Sequence, residues 1–313
     1  MVLPDFIIAG AMKCGTTTLH HILAHHPDIF IPEGEVNFYD IDNILQHYNF
    51  FAHNNGKWYW PDIHREKDKH LNWYNNFFEG ASEGQVVGED STTYIASDIA
   101  PRRIMEINPD AKIILMLRDP ASRCYSHYYH AFRMGRVAKS FEKSIIYESE
   151  PIMQRSMYKQ QVENFLKFIP LKNLKIIVFE EFIKDIEKII DELLEFIEVD
   201  KNKLSLTKID THKNKTALPA IFRLQLFKNR ILKNITTSGA YVGALPNSTT
   251  MSLFDKTKFK SVNKIHELIN PKVDKEKPKM KKETRIFLNE YFQNINKGLN
   301  GLCGYEVDKL WYK

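Results

Sequence analysis

Apolar runs of strand length alternate with helical patterns over the first two thirds of the chain. Residues 6–9 (Phe-Ile-Ile-Ala) are unbroken apolar and end on Gly10. Residues 16–26 place Leu19, Ile22 and Leu23 on one helical face, and Pro27 stops that pattern. A short second strand covers residues 29–31, closed by Pro32, and a third covers residues 85–89. Residues 113–117 (Ile-Ile-Leu-Met-Leu) form the strongest strand, a continuous apolar run suited to a sheet covered on both faces. Residues 174–179 read as a fifth. Helical patterns lie between them at 100–107, 121–132, 158–168 and 182–197. Such alternation predicts right-handed βαβ units and an α/β fold: a central parallel sheet of about five strands flanked by helices.

Two regions break the pattern. Residues 40–80 are rich in Tyr, Trp, Asn and His without periodicity, which predicts short helices and long loops. About half of these aromatics would serve the core, and the others could line a pocket. From 255 to 285 the chain turns lysine-rich and is interrupted by Pro271 and Pro278. Such a run reads as a solvated linker or helix face. A last helix follows with Leu288, Phe292, Ile295, Leu299 and Leu302 in phase, and Gly304 is a natural stop. Packed on the rest, that helix makes residues 1–313 one domain: a core at 1–220, a variable Lys/Asn-rich segment at 221–285 and the C-terminal helix at 286–313.

Composition narrows the class. At 313 residues, with 43% hydrophobic and 27% charged residues, the chain is an ordinary globular sequence able to bury a large core. Its net charge of +5 suits an anionic ligand without calling for nucleic acid. Three cysteines, Cys14, Cys124 and Cys303, lie far apart without metal-ligand spacing. They favour a reducing compartment over a disulfide framework. No secretory pattern and no apolar run of membrane-spanning length is present, so a cytoplasmic location is expected.

The chemistry starts where the first strand meets the first helix. Gly10-Ala-Met-Lys13-Cys14-Gly15-Thr16-Thr17-Thr18 is a glycine-bounded loop that runs into a helix start. Such a junction aims backbone N–H groups and the positive helix end at one point, where a phosphate or similar oxyanion binds. A Walker A loop carries its lysine after the second glycine. Here Lys13 lies inside the loop. The second constellation is Arg118-Asp119-Pro120-Ala-Ser-Arg123-Cys-Tyr-Ser126-His127, directly after the fourth strand. That edge is where open α/β sheets bind ligands.

Together these two motifs resemble those of the sulfotransferases that use 3′-phosphoadenosine 5′-phosphosulfate (PAPS), in the bacterial-type domain related to the heparan sulfate and other glycan enzymes. The resemblance covers about residues 4–220. It implies a P-loop-NTPase-like three-layer fold and PAPS as co-substrate with no metal required. It assigns Lys13, Cys14, Gly15, Thr16, Thr17 and Thr18 to the 5′-phosphosulfate, and Arg118 and Ser126 to the 3′-phosphate. Arg123 would instead be a structural ion-pair partner. Pro32-Glu33-Gly34-Glu35-Val-Asn-Phe-Tyr resembles the family segment whose glutamate is the catalytic base, which carries that role to Glu35 with Glu33 as rival. Gly34 stands where the family usually has lysine. Gly88-Glu89-Asp90-Ser91-Thr92 resembles a family segment in which lysine occupies the Asp90 position and proline the Thr92 position. Asp90 could therefore face the acceptor, or could simply end a strand. His127 is a further acceptor-side candidate. Lys213 and Lys215 sit where relatives place a basic loop over the nucleotide.

The resulting expectation is transfer of a sulfuryl group from PAPS to a hydroxyl or amine of a small-molecule or carbohydrate acceptor, with Glu35 as base and Lys13 at the departing phosphate. No nucleic-acid or membrane partner is expected. The alternatives are a P-loop nucleotide kinase, for which Asp119 is the candidate magnesium-holding carboxylate, and a non-catalytic nucleotide-binding protein of the same fold.

Overall fold

The computed structural model describes residues 2–54, 56–206, 217–239 and 252–312. Its centre is β1 (Phe6–Gly10), buried along its whole length. The chain then forms a helix at Thr16–Leu23 and edge strand β2 (Ile29–Phe30). An antiparallel hairpin follows, β3 (Ala52–Asn54) with β4 (Lys57–Tyr59), and then β5 (Val86–Asp90), β6 (Lys112–Leu117) and β7 (Leu174–Val178). β2, β5, β1, β6 and β7 lie side by side in that order, all parallel. All five expected strands are therefore in one parallel sheet. Its order places β1 at the centre, with crossovers to both sides.

Helices cover both faces because the strands are apolar on both. Leu19, Ile22 and Leu23 join Ile7, Ile8, Ile113, Leu115 and Val162 in the main core. A second core gathers Cys124, Tyr128, Phe132 and Phe141 with Leu288 and Phe292 of the helix Lys282–Ile295. The helix Pro120–Arg133 begins with Pro at its first position, and the Asp119 side chain accepts from Ser122 N at 2.6 Å. Both are ordinary start signals. Arg285 then grips both oxygens of Asp119, at 2.8 and 2.7 Å, which ties the C-terminal helix to the carboxyl edge of the sheet.

Several expected elements differ. The pattern at 182–197 is two helices, Phe179–Lys184 and Ile186–Phe196, because Asp185 leaves helical geometry and caps the second through Lys188 N. The last helix also breaks. Lys282–Ile295 and Leu299–Cys303 are separated at Gly298, which has φ 92°, and Ile295 is exposed. The β3–β4 hairpin carries no alternation that marks it in sequence. Its Trp58 and Tyr59, with the following Trp60, are exposed, whereas Tyr74 is fully buried. Among the described residues no helix is long and apolar enough to cross a membrane.

One buried polar cluster sits under β5. The Glu89 carboxylate accepts from Ser91 Oγ (2.6 Å), Tyr94 OH (2.6 Å) and Tyr74 OH (2.5 Å). Burial nevertheless dominates and pushes its pKa up to about 7. A raised carboxylate binds its proton more tightly when folded than when unfolded. Its stabilising contribution is thus present below pH 4.5 and fades as pH rises through about 7. Glu89→Gln should remove about 1.4 kcal/mol per pH unit from the slope of stability over that window. Urea unfolding of both proteins across the pH range measures it, and parallel pH profiles would refute it.

β5 also packs against β1 without room to spare. A Cβ built on Gly88 would fall 2.3 Å from the ring of Phe6, which is itself fully buried. Gly88→Ala should cost about 1–3 kcal/mol through forced displacement of that ring. An unchanged urea midpoint would show that the sheet yields more easily than the contact implies.

Candidate active site

The loop after β1 leaves the sheet at a shift of register between Ile8 and Gly10. Gly10 has φ 136° and Gly15 φ 98°. Side chains there would strike Ile95 (2.5 Å) and Phe179 (2.7 Å), so both positions need glycine for conformation and for space. Lys13 adopts φ 72°, a left-handed conformation unusual for a residue with a side chain. Gly15 precedes the helix Thr16–Leu23 with no side-chain cap and no acidic residue in the first turn. The N–H groups of Thr16 and Thr17 therefore lack intrahelical acceptors, and the positive helix end is uncompensated.

Arg118 follows β6. Its guanidinium lies 4.6 Å from the Phe179 ring centre, its Nη1 donates to the Lys13 carbonyl at 3.3 Å, and its own carbonyl accepts from Tyr158 OH at 3.0 Å. Lys13 and Ser126 open onto one cavity of about 600 Å³ together with Tyr129, His130, Arg133 and Lys277. The volume suits a nucleotide-sized ligand. Charge is concentrated here, with the cations Lys13, Arg133, Lys275 and Lys277 outnumbering Asp274 and Glu276 in the lining. Burial and then Arg133 push the Lys13 pKa down, and burial followed by Arg118 and Lys13 does the same to Lys277. His130 is pushed to about 4 by burial and then by Lys13. Cations that repel one another across a concave site are relieved by a multivalent anion. The chain therefore fits a 5′-phosphosulfate at the loop and helix terminus, with a further phosphate near Arg118 and Ser126.

Each sequence-selected residue has a definite place. Thr16 is buried, Thr17 exposed and Thr18 half-buried at the helix start. Cys14 is fully buried with its Sγ 3.6 Å from Tyr158 OH, and burial raises its thiol to about 11. It can offer a ligand only its backbone. Arg123 is wholly buried and donates to Ser156 Oγ, the Ile152 carbonyl and Cys124 Sγ, with His127 Nδ1 at 3.2 Å. Its role is structural as expected, but its partners are neutral, not a carboxylate. Lys213 and Lys215 lie outside the described residues.

On the acceptor side, Glu35 is open to solvent at the crevice while its Oε1 accepts from Thr92 Oγ1 at 2.6 Å. Surrounding protein and then the charge of Asp90 raise its pKa. Glu33 is exposed. Asp90 is buried, with Oδ2 3.3 Å from His20 Nδ1 and Oδ1 without a hydrogen-bond partner. Burial raises its pKa too. His127 is buried and held neutral, its pKa pushed well down by burial and by Arg123. Glu35 and Lys13 are close enough for the carboxylate to favour the ammonium.

The kinase alternative fares poorly on this geometry. Lys13 lies before the second glycine, and both oxygens of Asp119 are taken by Arg285. Sequence reading missed Lys277, His130 and Arg133. Lys277 arrives because β8 (Leu218–Pro219) pairs with β9 (Lys272–Val273) and carries the adjoining lysines to the cavity rim. The lysine run alone gave no sign of that pairing.

The family model for the sulfotransferase domain matches residues 3–218. The chain belongs to the sulfotransferase family. Human heparan sulfate glucosamine 3-O-sulfotransferase 3B1 is 27% identical over 191 residues, 58% of this chain and 43% of that protein. The mouse bifunctional heparan sulfate N-deacetylase/N-sulfotransferase 2 is 30% identical over 194 residues, 57% of this chain and 20% of the relative. The chain thus matches less than half the length of these curated relatives. A sulfotransferase structure from Alicyclobacillus acidocaldarius superposes over 100% of both chains with a TM-score of 0.65 at 22% identity, a likeness of fold. The matched region of the family model takes in the loop after β1, Glu35, Asp90, Arg118 and Ser126.

Proposed function

We propose that this sulfotransferase-family chain moves a sulfuryl group from PAPS to a hydroxyl or amine of a small-molecule or carbohydrate acceptor. The observation that carries the reading is the convergence of Lys13, Ser126 and an uncapped helix start on one cavity beside Arg118, with a raised carboxylate, Glu35, within electrostatic reach of Lys13. Family membership supports it. Three free, buried cysteines suit a reducing compartment, and we place the chain in the cytoplasm.

The loop amides, Lys13, Arg118, Ser126 and Lys277 bind and orient the donor. Glu35 accepts the proton of the acceptor hydroxyl as its oxygen attacks sulfur. The new O–S bond forms while the S–O bond to the phosphate breaks, and the electron pair leaves on the phosphate oxygen. Lys13 meets the charge that develops there, so it stabilises the transition state more than the bound donor. Thr92 fixes the carboxylate, and Asp90 strengthens it as a base by repulsion. Products are the sulfated acceptor and adenosine 3′,5′-bisphosphate.

Calorimetry with adenosine 3′,5′-bisphosphate, against ATP with magnesium, tests the donor site. Tight binding of the bisphosphate without magnesium is expected, weakened at least tenfold by Arg118→Ala or Lys277→Ala. Preference for ATP with magnesium would overturn the reading. With PAPS and a panel of hydroxyl acceptors, Glu35→Gln should retain bisphosphate affinity and lose about 10²–10⁴ in turnover, the usual worth of a general base. Lys13→Ala should abolish transfer. Near-normal turnover in Glu35→Gln would move the base to Glu33, Asp90 or a histidine.

A further inference from the structure

A second cavity of about 330 Å³ lies behind the loop after β1, lined by Met12, Gln46, His127, Arg136, Arg155 and Lys233 among others. It shares no lining residue with the donor cavity. The helix Pro120–Arg133 separates the two: His130 faces the donor cavity and His127, one turn earlier, faces this one.

Arg155 makes this cavity unusual. It is 8% exposed, yet it forms no ion pair among the described residues. Its Nη2 donates to Gln46 Oε1 (2.9 Å) and to the Gln46 carbonyl (3.5 Å), and its Nη1 meets the Met12 sulfur at 3.3 Å. A buried guanidinium hydrogen-bonded only to neutral groups is costly, and the carboxylates that favour its charge, Asp40 and then Glu35, form no ion pair with it. The carboxylate that lines the cavity, Glu148, is already shared by Lys139 and Lys233. His127 contributes no charge of its own, being held neutral. The cavity is therefore lined by more cations than carboxylates, half-open to solvent and supplied with a fork that matches a planar or tetrahedral oxyanion.

We infer that this cavity is an anion subsite of the acceptor pocket, in which Arg155 seats a carboxylate, sulfate or phosphate group carried by the acceptor. The placement rests on the transferase reading. Met12, which lines this cavity and meets Arg155, is the neighbour of Lys13 at the donor cavity, and Arg155 and Glu35 favour each other's charge, so one small molecule can present an anionic group to Arg155 and a hydroxyl to Glu35. Arg155 is thus a specificity residue, and acceptors bearing one such anion should be preferred over their neutral counterparts.

Thermal unfolding of the bisphosphate-saturated protein in millimolar sodium sulfate, against sodium chloride at equal ionic strength, reads the subsite directly. Sulfate at tenfold its dissociation constant should raise Tm by about 2–4 °C beyond chloride. The increment should persist in Lys13→Ala and vanish in Arg155→Met. Arg155→Gln, which keeps an amide donor toward Gln46, serves if the methionine variant does not fold. Equal effects of sulfate and chloride on the unaltered protein would overturn the inference. So would an increment that survives loss of Arg155, or one that Lys13→Ala removes. In turnover, free-acid hydroxyl compounds should exceed their methyl esters in kcat/KM at least tenfold, and Arg155→Gln should equalise the two. Esters preferred by the unaltered protein would overturn it as well. Failure of the bisphosphate to bind would count against the transferase reading alone, since the part of the sulfate increment that Arg155→Met removes can then be read on the ligand-free protein.

Discussion

Like charges gathered at the carboxyl edge of the parallel sheet set the terms for the rest of the molecule. Lys13, Arg133 and Lys277 face one cavity, with Arg118 beside it, and at least two of these cations have their charged forms disfavoured by burial and by one another. Folding alone gains little from such an arrangement: Asp274 and Glu276 also line the cavity, but among the described residues none of these cations forms an ion pair that offsets its lost hydration. The scaffold holds it by other means. Arg118 is anchored by the Phe179 ring and through the Lys13 carbonyl, and the loop is pinned by glycines that admit no side chain. The repulsion becomes binding energy when a polyanion enters, and the part that follows charge onto the leaving oxygen becomes rate.

Other charged groups show what structural use looks like in the same chain. Asp119 is an N-cap and a bidentate partner of Arg285, so its lone pairs are spent on joining the C-terminal helix to the sheet edge. Arg103 is gripped by both oxygens of Asp42 and donates to the Tyr39 carbonyl. Arg123 is saturated by neutral acceptors deep in the second core. Those groups are buried and paired, although Arg103 Nε is left without a partner. Lys13 is half-buried, Arg155 buried and Lys277 exposed at the cavity rim, and none of the three forms an ion pair among the described residues. That difference, more than residue type, separates function from framework here.

The sheet was legible because its strands are apolar on both faces, a pattern that few other arrangements could accommodate. The conformation of the loop after β1 was legible because its two glycines stand where no side chain fits, while its role toward the donor is the proposal made above. What escaped depended on distant pairing. Lys277 is one lysine among many until β9 meets β8, and Arg155 looks like an ordinary helical arginine until Met12 and Gln46 close around it. The split at Asp185 escaped for a different reason. A capping aspartate costs little in an apolar pattern, so the heptad-like phase runs straight through the break.

The pairing of Glu35 with Asp90 shows how local departures from the family pattern can be read together. Where the family segment that this stretch resembles has lysine, this chain buries a carboxylate that keeps one oxygen without a partner. Burial first, and then the Asp90 charge, raise the pKa of Glu35, which would make it the stronger base in the proposed transfer. Ionisation still has to be favoured at working pH, and cations must supply that. Lys13 does so from the donor side and Arg155 from the acceptor side, each coupled to Glu35 across the crevice. With a carboxylate at position 90 and an arginine at 155, the positive charge in the proposed reaction lies away from the attacking hydroxyl and deeper in the pocket inferred at Arg155. In the proposed transfer the base thereby gains strength, and the subsite inferred at Arg155 keeps its pull on anions.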